Sequence, residues 1–549
     1  MTRFPLATLT AIFLLTACSN ADDHSGNGPP SLTIQTSIDV LEPACPYGGT
    51  LIRTGVDYNG DGQLGDNEVT ANDPICNNGS SPNLDVALKQ LLTDANVHMD
   101  ATAGRMLPTI DDPLAQLGMQ LFFSKSLGGD QDTACVTCHH PFLGGGDDLT
   151  LPVGVHAVMP NLLGPGREHA PGSVGYDGGP TVPRNAPTTF NIALWDKVLF
   201  HDGRIESLTG IPGTNGADGQ IRTPEVPLNQ VDPSGLPSLT VAQARFPVTS
   251  AEEMRAFTFE AGNVNTSVRA HLAARLQGNT PDLELATNNW LAAFRTGFGN
   301  PTGTPEELIT YDNIALAIGT YEASQVFVDT PFKRYLDGDD AAISGEAKLG
   351  AMLFYGDGGC ANCHSGPTLT DERFHVLAMP QVGRGKGNDN GVNANDDFGR
   401  YRETGVEDDR YAFRTPMLLN VAQTGPWGHA GAYGTLTAVV QHHLNPRQAI
   451  ENFDYNQLDP GVQADDMVVN TGFALDKLDA LRAEGKSALP DVSLSGADVH
   501  RLVAFLETLT DSCVQNMQCI GRWVPGITDA DPDALRVDAI DRLGNRLEP

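Results

Sequence analysis

The sequence predicts a mainly α-helical protein of two larger units, preceded by a small disulfide-bearing module. Three observations carry that prediction. The chain has 549 residues, more than one hydrophobic core organises. Apolar residues recur at three-to-four spacing over Leu84 to Leu92, Pro113 to Phe123, Val268 to Leu276 and Asp312 to Phe327. A Cys-x-x-Cys-His pentapeptide occurs once in each half, at Cys135–His139 and at Cys360–His364. With 59 Gly and 37 Pro, long loops are expected between short helices.

The elements follow in order. Arg3 precedes an apolar run from Phe4 to Thr16 that is too short to span a bilayer as a helix. The run ends in Leu15-Thr16-Ala17-Cys18, which resembles the signal of bacterial lipoproteins. Residues 1–17 would then be removed and Cys18 lipidated. Ser19 follows in place of the Asp that retains such proteins at the inner membrane, so the periplasmic face of the outer membrane is expected. Residues 18–40 read as a tether. Residues 41–80 form a compact module between Cys45 and Cys76. Inside it Asp57, Asn59, Asp61 and Glu68 fall at positions 1, 3, 5 and 12 of an EF-hand-type loop, with Gly62 at the turn, and are candidate calcium ligands. Its flanks lack the two amphipathic helices of a full EF-hand. Residues 84–330 and 331–525 read as the two helical units, and 526–549 as a short tail.

Nine cysteines sort without remainder. Cys18 takes the lipid, and four lie in the two pentapeptides. Cys45 with Cys76 and Cys513 with Cys519 read as disulfides, which suit an exported protein. In a Cys-x-x-Cys-His motif the thiols add to haem vinyl groups and the His supplies an axial ligand to the iron. Two covalently bound haem c groups are therefore expected, one on Cys135, Cys138 and His139 and one on Cys360, Cys363 and His364. The formal charge of −34 argues against a nucleic-acid partner and favours a small basic one.

Further segments accompany the motifs: Leu117-Gly-Met-Gln-Leu-Phe-Phe-Ser, Arg184-Asn185-Ala-Pro-Thr, His201-Asp-Gly-Arg204, Pro331-Phe-Lys-Arg-Tyr-Leu, Gly350-Ala-Met-Leu-Phe, Phe413-Arg-Thr-Pro-Met-Leu-Leu-Asn420 and Thr424-Gly-Pro426-Trp-Gly-His429-Ala-Gly431. In order and spacing they resemble the bacterial di-haem cytochrome c peroxidases and the related MauG-like enzymes, over roughly residues 110 to 510. The resemblance implies two class I cytochrome c-like haem domains around one interface, the N-terminal one peroxidatic and the C-terminal one relaying electrons. Hydrogen peroxide would be the substrate and a small cytochrome c or cupredoxin the donor. A homodimer is common in the family.

The resemblance also implies roles for single residues. Glu253, ten residues after Gln243, would be the acid-base that moves a proton between peroxide oxygens, and Gln243 would orient the peroxide. His156 stands near the place of a displaceable ligand to the first iron. Fourteen residues beyond His429, where the peroxidases have Met and MauG-like enzymes Tyr, stands His443, the expected sixth ligand of the second iron, with His442 as second choice. A calcium ion between the domains would take the Asn185 side chain and the carbonyls of Thr424 and Pro426. His201 replaces the Trp that the family places between its haems; Trp195 and Trp427 lie nearby in sequence. Two rival readings are a MauG-like oxidase that modifies Trp or Tyr of a partner protein, and a non-catalytic electron-transfer cytochrome.

Overall fold

A computed structural model describes residues 31–42, 45–77, 82–280, 282–386, 395–489 and 492–549. Residues 1–30, with the signal segment, Cys18 and most of the expected tether, lie outside the described residues. No helix among the described residues is long and apolar enough to cross a membrane.

The module is a three-stranded antiparallel sheet of β1 (Ser31–Glu42), β2 (Cys45–Val56) and β3 (Val69–Cys76), in that order. This corrects the tether boundary. β1 pairs with β2 from Ser31 opposite Val56 to Glu42 opposite Cys45, so residues 31–40 are fold rather than linker. Leu32, Ile34 and Ile38 alternate with exposed Thr33, Gln35 and Ser37, the period of a half-buried strand. The Cys45–Cys76 disulfide closes the module, and the Asp57–Glu68 loop joins β2 to β3.

Beyond the module, helices are the main regular structure, separated by long loops as expected. The two units repeat one device. Helix α2 (Pro113–Phe123) opens on Pro113, whose missing N–H costs nothing in a first turn, and buries Leu117, Leu121, Phe122 and Phe123. It crosses the helix Tyr311–Ala323 at Gly118, where a Cβ would come within 2.0 Å of the Ala317 carbonyl. In the second unit the helix Gly345–Tyr355 crosses Gly496–Glu507 at Gly350, where a Cβ would meet the Arg501 carbonyl at 1.9 Å. Only glycine permits backbones this close. In both units the first helix leads into a single 3-10 turn bearing the haem motif, Cys135–Thr137 and Cys360–Asn362.

Packing departs from the expected boundaries at 84 and 526, while the division near 331 stands, with Phe327 in the first core and Phe332 in the second. Helix α1 (Pro82–Asp94) sends Leu88 and Leu92 into the core of the second unit, beside Phe332, Phe354 and Phe505. There Asp85 accepts from Lys348 Nζ at 2.7 Å and from the Tyr335 hydroxyl at 2.9 Å. Conversely, Ile520, Trp523, Val537 and Ala539 lie in the core of the first unit. The expected tail is strapped to it: Val537 N–H donates to Phe123 O at 2.9 Å, and Leu163 N–H to Ile540 O at 2.9 Å. Its Asp533 accepts from Trp290 Nε1 and from Ser124 Oγ. The Cys513–Cys519 disulfide, present as expected, stands where the chain crosses back.

Trp523 packs edge-on against Phe327 with centroids 4.9 Å apart and donates to Ser324 Oγ at 3.0 Å. Trp523→Ala should therefore cost about 3–5 kcal/mol, measured by denaturant unfolding of the holoprotein. A loss under about 1 kcal/mol would show that the C-terminal strap lies outside the first core.

Candidate functional site

The second motif opens on a cavity of about 270 Å³. Cys360, Cys363 and His364 line it, and Val439, Val440 and His443 face them from the helix Leu436–Leu444. His364 donates Nδ1–H to Leu369 O at 3.1 Å, and His443 donates Nδ1–H to Val439 O at 2.8 Å. Each Nε2 lone pair is thus left for a metal. The two ring centroids are 6.4 Å apart. With metal–imidazole bonds of about 2.0–2.1 Å, two rings at this separation could both reach one ion held between them. Burial pulls His364 down to about 4, helped by the neighbouring His443, and lowers His443 itself. Both are therefore neutral, the form that binds metal. His442, the alternative, is fully buried, with Nδ1 against the Tyr433 hydroxyl at 2.7 Å and Nε2 against Leu377 O at 2.9 Å. Neither of its nitrogens is free.

At the first motif His139 donates Nδ1–H to Gly145 O at 3.1 Å, and burial pulls it down to about 4. Glu253 sits on a single π-helical turn, Ala251–Arg255, a form of backbone common at functional sites. Met254 of this turn lies in the same core as Val136 of the motif; burial pushes the Cys138 thiol well up, and Asp147 and Glu253 add to the effect. Gly154 seats the turn: a Cβ there would lie 2.4 Å from the carbonyls of both Glu252 and Glu253. Gln243, half-buried, ends the helix Leu239–Gln243, just ahead of the 3-10 turn Pro247–Thr249 that leads to Glu253.

His156 is held elsewhere. Its Nε2 pairs with Asp130 at 2.9 Å and its Nδ1 with Val174 O at 3.3 Å, so, unlike His443, it offers no free nitrogen to iron in this arrangement.

A model of the family described as Di-haem cytochrome c peroxidase matches residues 112–341, and one described as Domain of unknown function (DUF7151) matches residues 32–76. The methylamine utilization protein MauG of Methylorubrum extorquens is 30% identical over 328 residues, 60% of this chain and 67% of that protein. Cytochrome c551 peroxidase of Pseudomonas aeruginosa is 30% identical over 322 residues, 59% of this chain and 69% of that protein. Cytochrome-c peroxidase IdrP1 of Denitromonas iodatirespirans is 30% identical over 353 residues, 61% and 72% of the two chains. The chain belongs to the di-haem cytochrome c peroxidase/MauG family.

As a member of this family it is an oxidoreductase of the peroxidase or oxidase type, and the family carries two haem c groups. The two Cys-x-x-Cys-His turns, with their neutral histidines, fit that cofactor. Asn185, Thr424 and Pro426 all line the second cavity, and Asn185 Nδ2 donates to Leu149 O at 3.0 Å. In the module, Asp57 and Glu68 are buried while Asn59 and Asp61 are exposed, and all four side chains accept backbone N–H groups of their own loop. His201 lines the cavity with Trp195 and Trp427 and donates Nε2–H to Asn185 O at 3.0 Å. Arg414 stacks over Trp195 at 3.5 Å.

Two residues near the first motif escaped the sequence reading. Buried Arg167 donates to the carbonyls of Val153, Gly154, Pro160 and Leu162, pinning the loop under Glu253. Lys386, from the second unit, is pulled down to about 8 by Arg204, burial and Arg184, against the opposing charges of Asp202 and Glu253. Both are single charges in Gly-rich loops, with no periodic signal.

Gly154→Ala should displace the Glu253 turn at a cost of about 1–3 kcal/mol. Electron paramagnetic resonance should show an altered first haem beside an unchanged second one; an unchanged first haem would mean the turn tolerates the added methyl.

Proposed function

We propose that the protein is a di-haem cytochrome c peroxidase, reducing hydrogen peroxide to water with electrons from a small periplasmic cytochrome c or cupredoxin. The observation that carries this reading is the contrast between the two sites. At the second, His364 and His443 lie close enough for both to reach one ion. At the first, the carboxylate-bearing turn Ala251–Arg255 shares a core with the motif.

In this reading haem supplies the electron chemistry at both motifs. His139 and His364 would each hold a haem iron. His443 would be a second ligand at the second centre, which would leave that centre to conduct electrons and exclude substrate. Glu253 would move a proton from one peroxide oxygen to the other as the O–O bond breaks, and Gln243 would hold the peroxide through its amide. Asn185, Thr424 and Pro426 would bind calcium through hard oxygens, and Asp57, Asn59, Asp61 and Glu68 are candidates for a second ion. Cys18 would anchor the protein at the periplasmic face of the outer membrane.

One observation favours the MauG-like alternative, in which Trp or Tyr of a partner protein is oxidised. The ligand facing His364 is an imidazole and not a thioether. Lacking the thioether that raises haem potential, the second centre would sit low.

Peroxide consumption by the holoprotein with a reduced small cytochrome tests the main reading. Glu253→Gln should lower turnover by about 10²–10⁴-fold with both haem spectra intact; undiminished turnover would remove Glu253 from the mechanism. Absence of turnover, with oxidation of a co-expressed partner, would favour the alternative. His443→Met should raise the potential of one haem, and an unchanged redox titration would exclude His443 as a ligand.

A further inference from the structure

Glu322 takes no part in the chemistry above. It lies on the helix Tyr311–Ala323, inside the first core and 4% exposed, and its Oε2 has no hydrogen-bond partner. Tyr321 and Ile318 of its helix lie in the same core as Val136 of the first motif, and Cys135 packs against that core. Burial pushes the Cys135 thiol up, and Glu322 adds to the effect.

Among the described residues, the elements packed most closely against its helix supply no free cation, and no neighbouring charge shifts it. Helix α2, the helix Leu239–Gln243 and the turn Ile192–Leu194, all against the Glu322 helix, contain no charged residue. The helix Asn265–Gln277 brings Arg269, His271 and Arg275, and these are engaged by Glu225, by Glu260 and Glu284, and by Glu284. Arg245 pairs with Asp312. Tyr321 donates to Trp523 O at 2.7 Å, and Tyr311 reaches Ala244 O. Gln325, buried nearby in sequence, accepts from Thr189.

The other carboxyls near the haem cysteines differ. Asp371, at the second motif, pairs with His375 at 2.8 Å. Asp147, near Cys138, accepts from Leu149 N–H and has Arg167 as a neighbouring cation. For Glu322 burial is the whole cause, pushing it up to about 8. An isolated carboxylate in an apolar core is costly, so small changes in nearby charge decide its protonation.

We propose that Glu322 is a redox-linked proton site for the haem held by Cys135, Cys138 and His139, binding one proton when that haem accepts one electron. The balance is simple. Iron(III) and the Glu322 carboxylate, with one electron from an external one-electron donor and one proton from water, become iron(II) and the carboxylic acid. The added negative charge on the haem disfavours the carboxylate, and the neutralised carboxyl in turn favours the electron. The coupling rests on haem at the first motif and not on peroxide turnover, so either reading can fail without the other.

The sign follows. At low pH Glu322 is already protonated and the first haem potential is flat. Through the carboxyl's titration range the potential falls as pH rises, by up to tenfold in the reduction equilibrium per pH unit, or about 59 mV. The test is a redox titration of the two-haem holoprotein at pH values from about 6 to 9. One midpoint potential should fall with pH in the wild type and become flat in Glu322→Gln, while Asp147→Asn keeps the slope. An equal slope in Glu322→Gln, or its loss in Asp147→Asn alone, overturns the proposal. Reduced-minus-oxidised infrared spectra of the wild type give a second readout that needs no variant. A protonated-carboxyl band should grow on reduction, and its absence overturns the proposal even if Glu322→Gln fails to assemble.

Discussion

The seam between the two units hangs on one buried guanidinium. Arg184 donates to both oxygens of Asp397, at 2.6 and 2.7 Å, and to Asp202 at 2.6 Å, with all three side chains out of solvent. Its two partners hold Arg184 charged, and it holds both carboxyls well below the usual carboxylate range. Removing one member of such a group strands a buried charge, at about 3–5 kcal/mol. The neighbouring parts of the second cavity are set by the same seam. Asn185, next in the chain, donates its N–H to His429 O, and the His429 ring stacks on Phe413 at 3.8 Å. His201 closes the wall by binding the Asn185 carbonyl.

The two units share a plan and differ in what faces the haem histidine. Each crosses two helices at a glycine and hangs its motif from the first of them. At the second motif the opposing wall is a regular helix that presents an imidazole. Near the first it is irregular backbone, a π turn seated on Gly154 and a loop pinned by Arg167. Regular backbone suits a fixed ligand, while irregular backbone brings a carboxylate from a tight turn. The exchange of terminal segments binds the units further, because α1 completes the second core and the strap completes the first.

The amino-acid sequence determined what is covalent or local. The haem motifs, the pairs Cys45–Cys76 and Cys513–Cys519 and the glycine-bearing helices are fixed by residue type at short spacing, and they stand where the sequence places them. It narrowed the second axial position to His442 and His443. Consecutive residues point about 100° apart on a helix, so only the placement of Leu436–Leu444 turns His443 to the cavity and His442 to Tyr433. The alternation in β1 was present in the sequence but was outweighed by the polar residues before it. Tertiary structure alone decided the rest: which core takes the terminal segments, the reach of Lys386 across the seam, the grip of Arg167, and the unpaired burial of Glu322. Each depends on contacts between residues far apart in the chain, and the energy of a buried charge is set by what surrounds it, which no local pattern encodes.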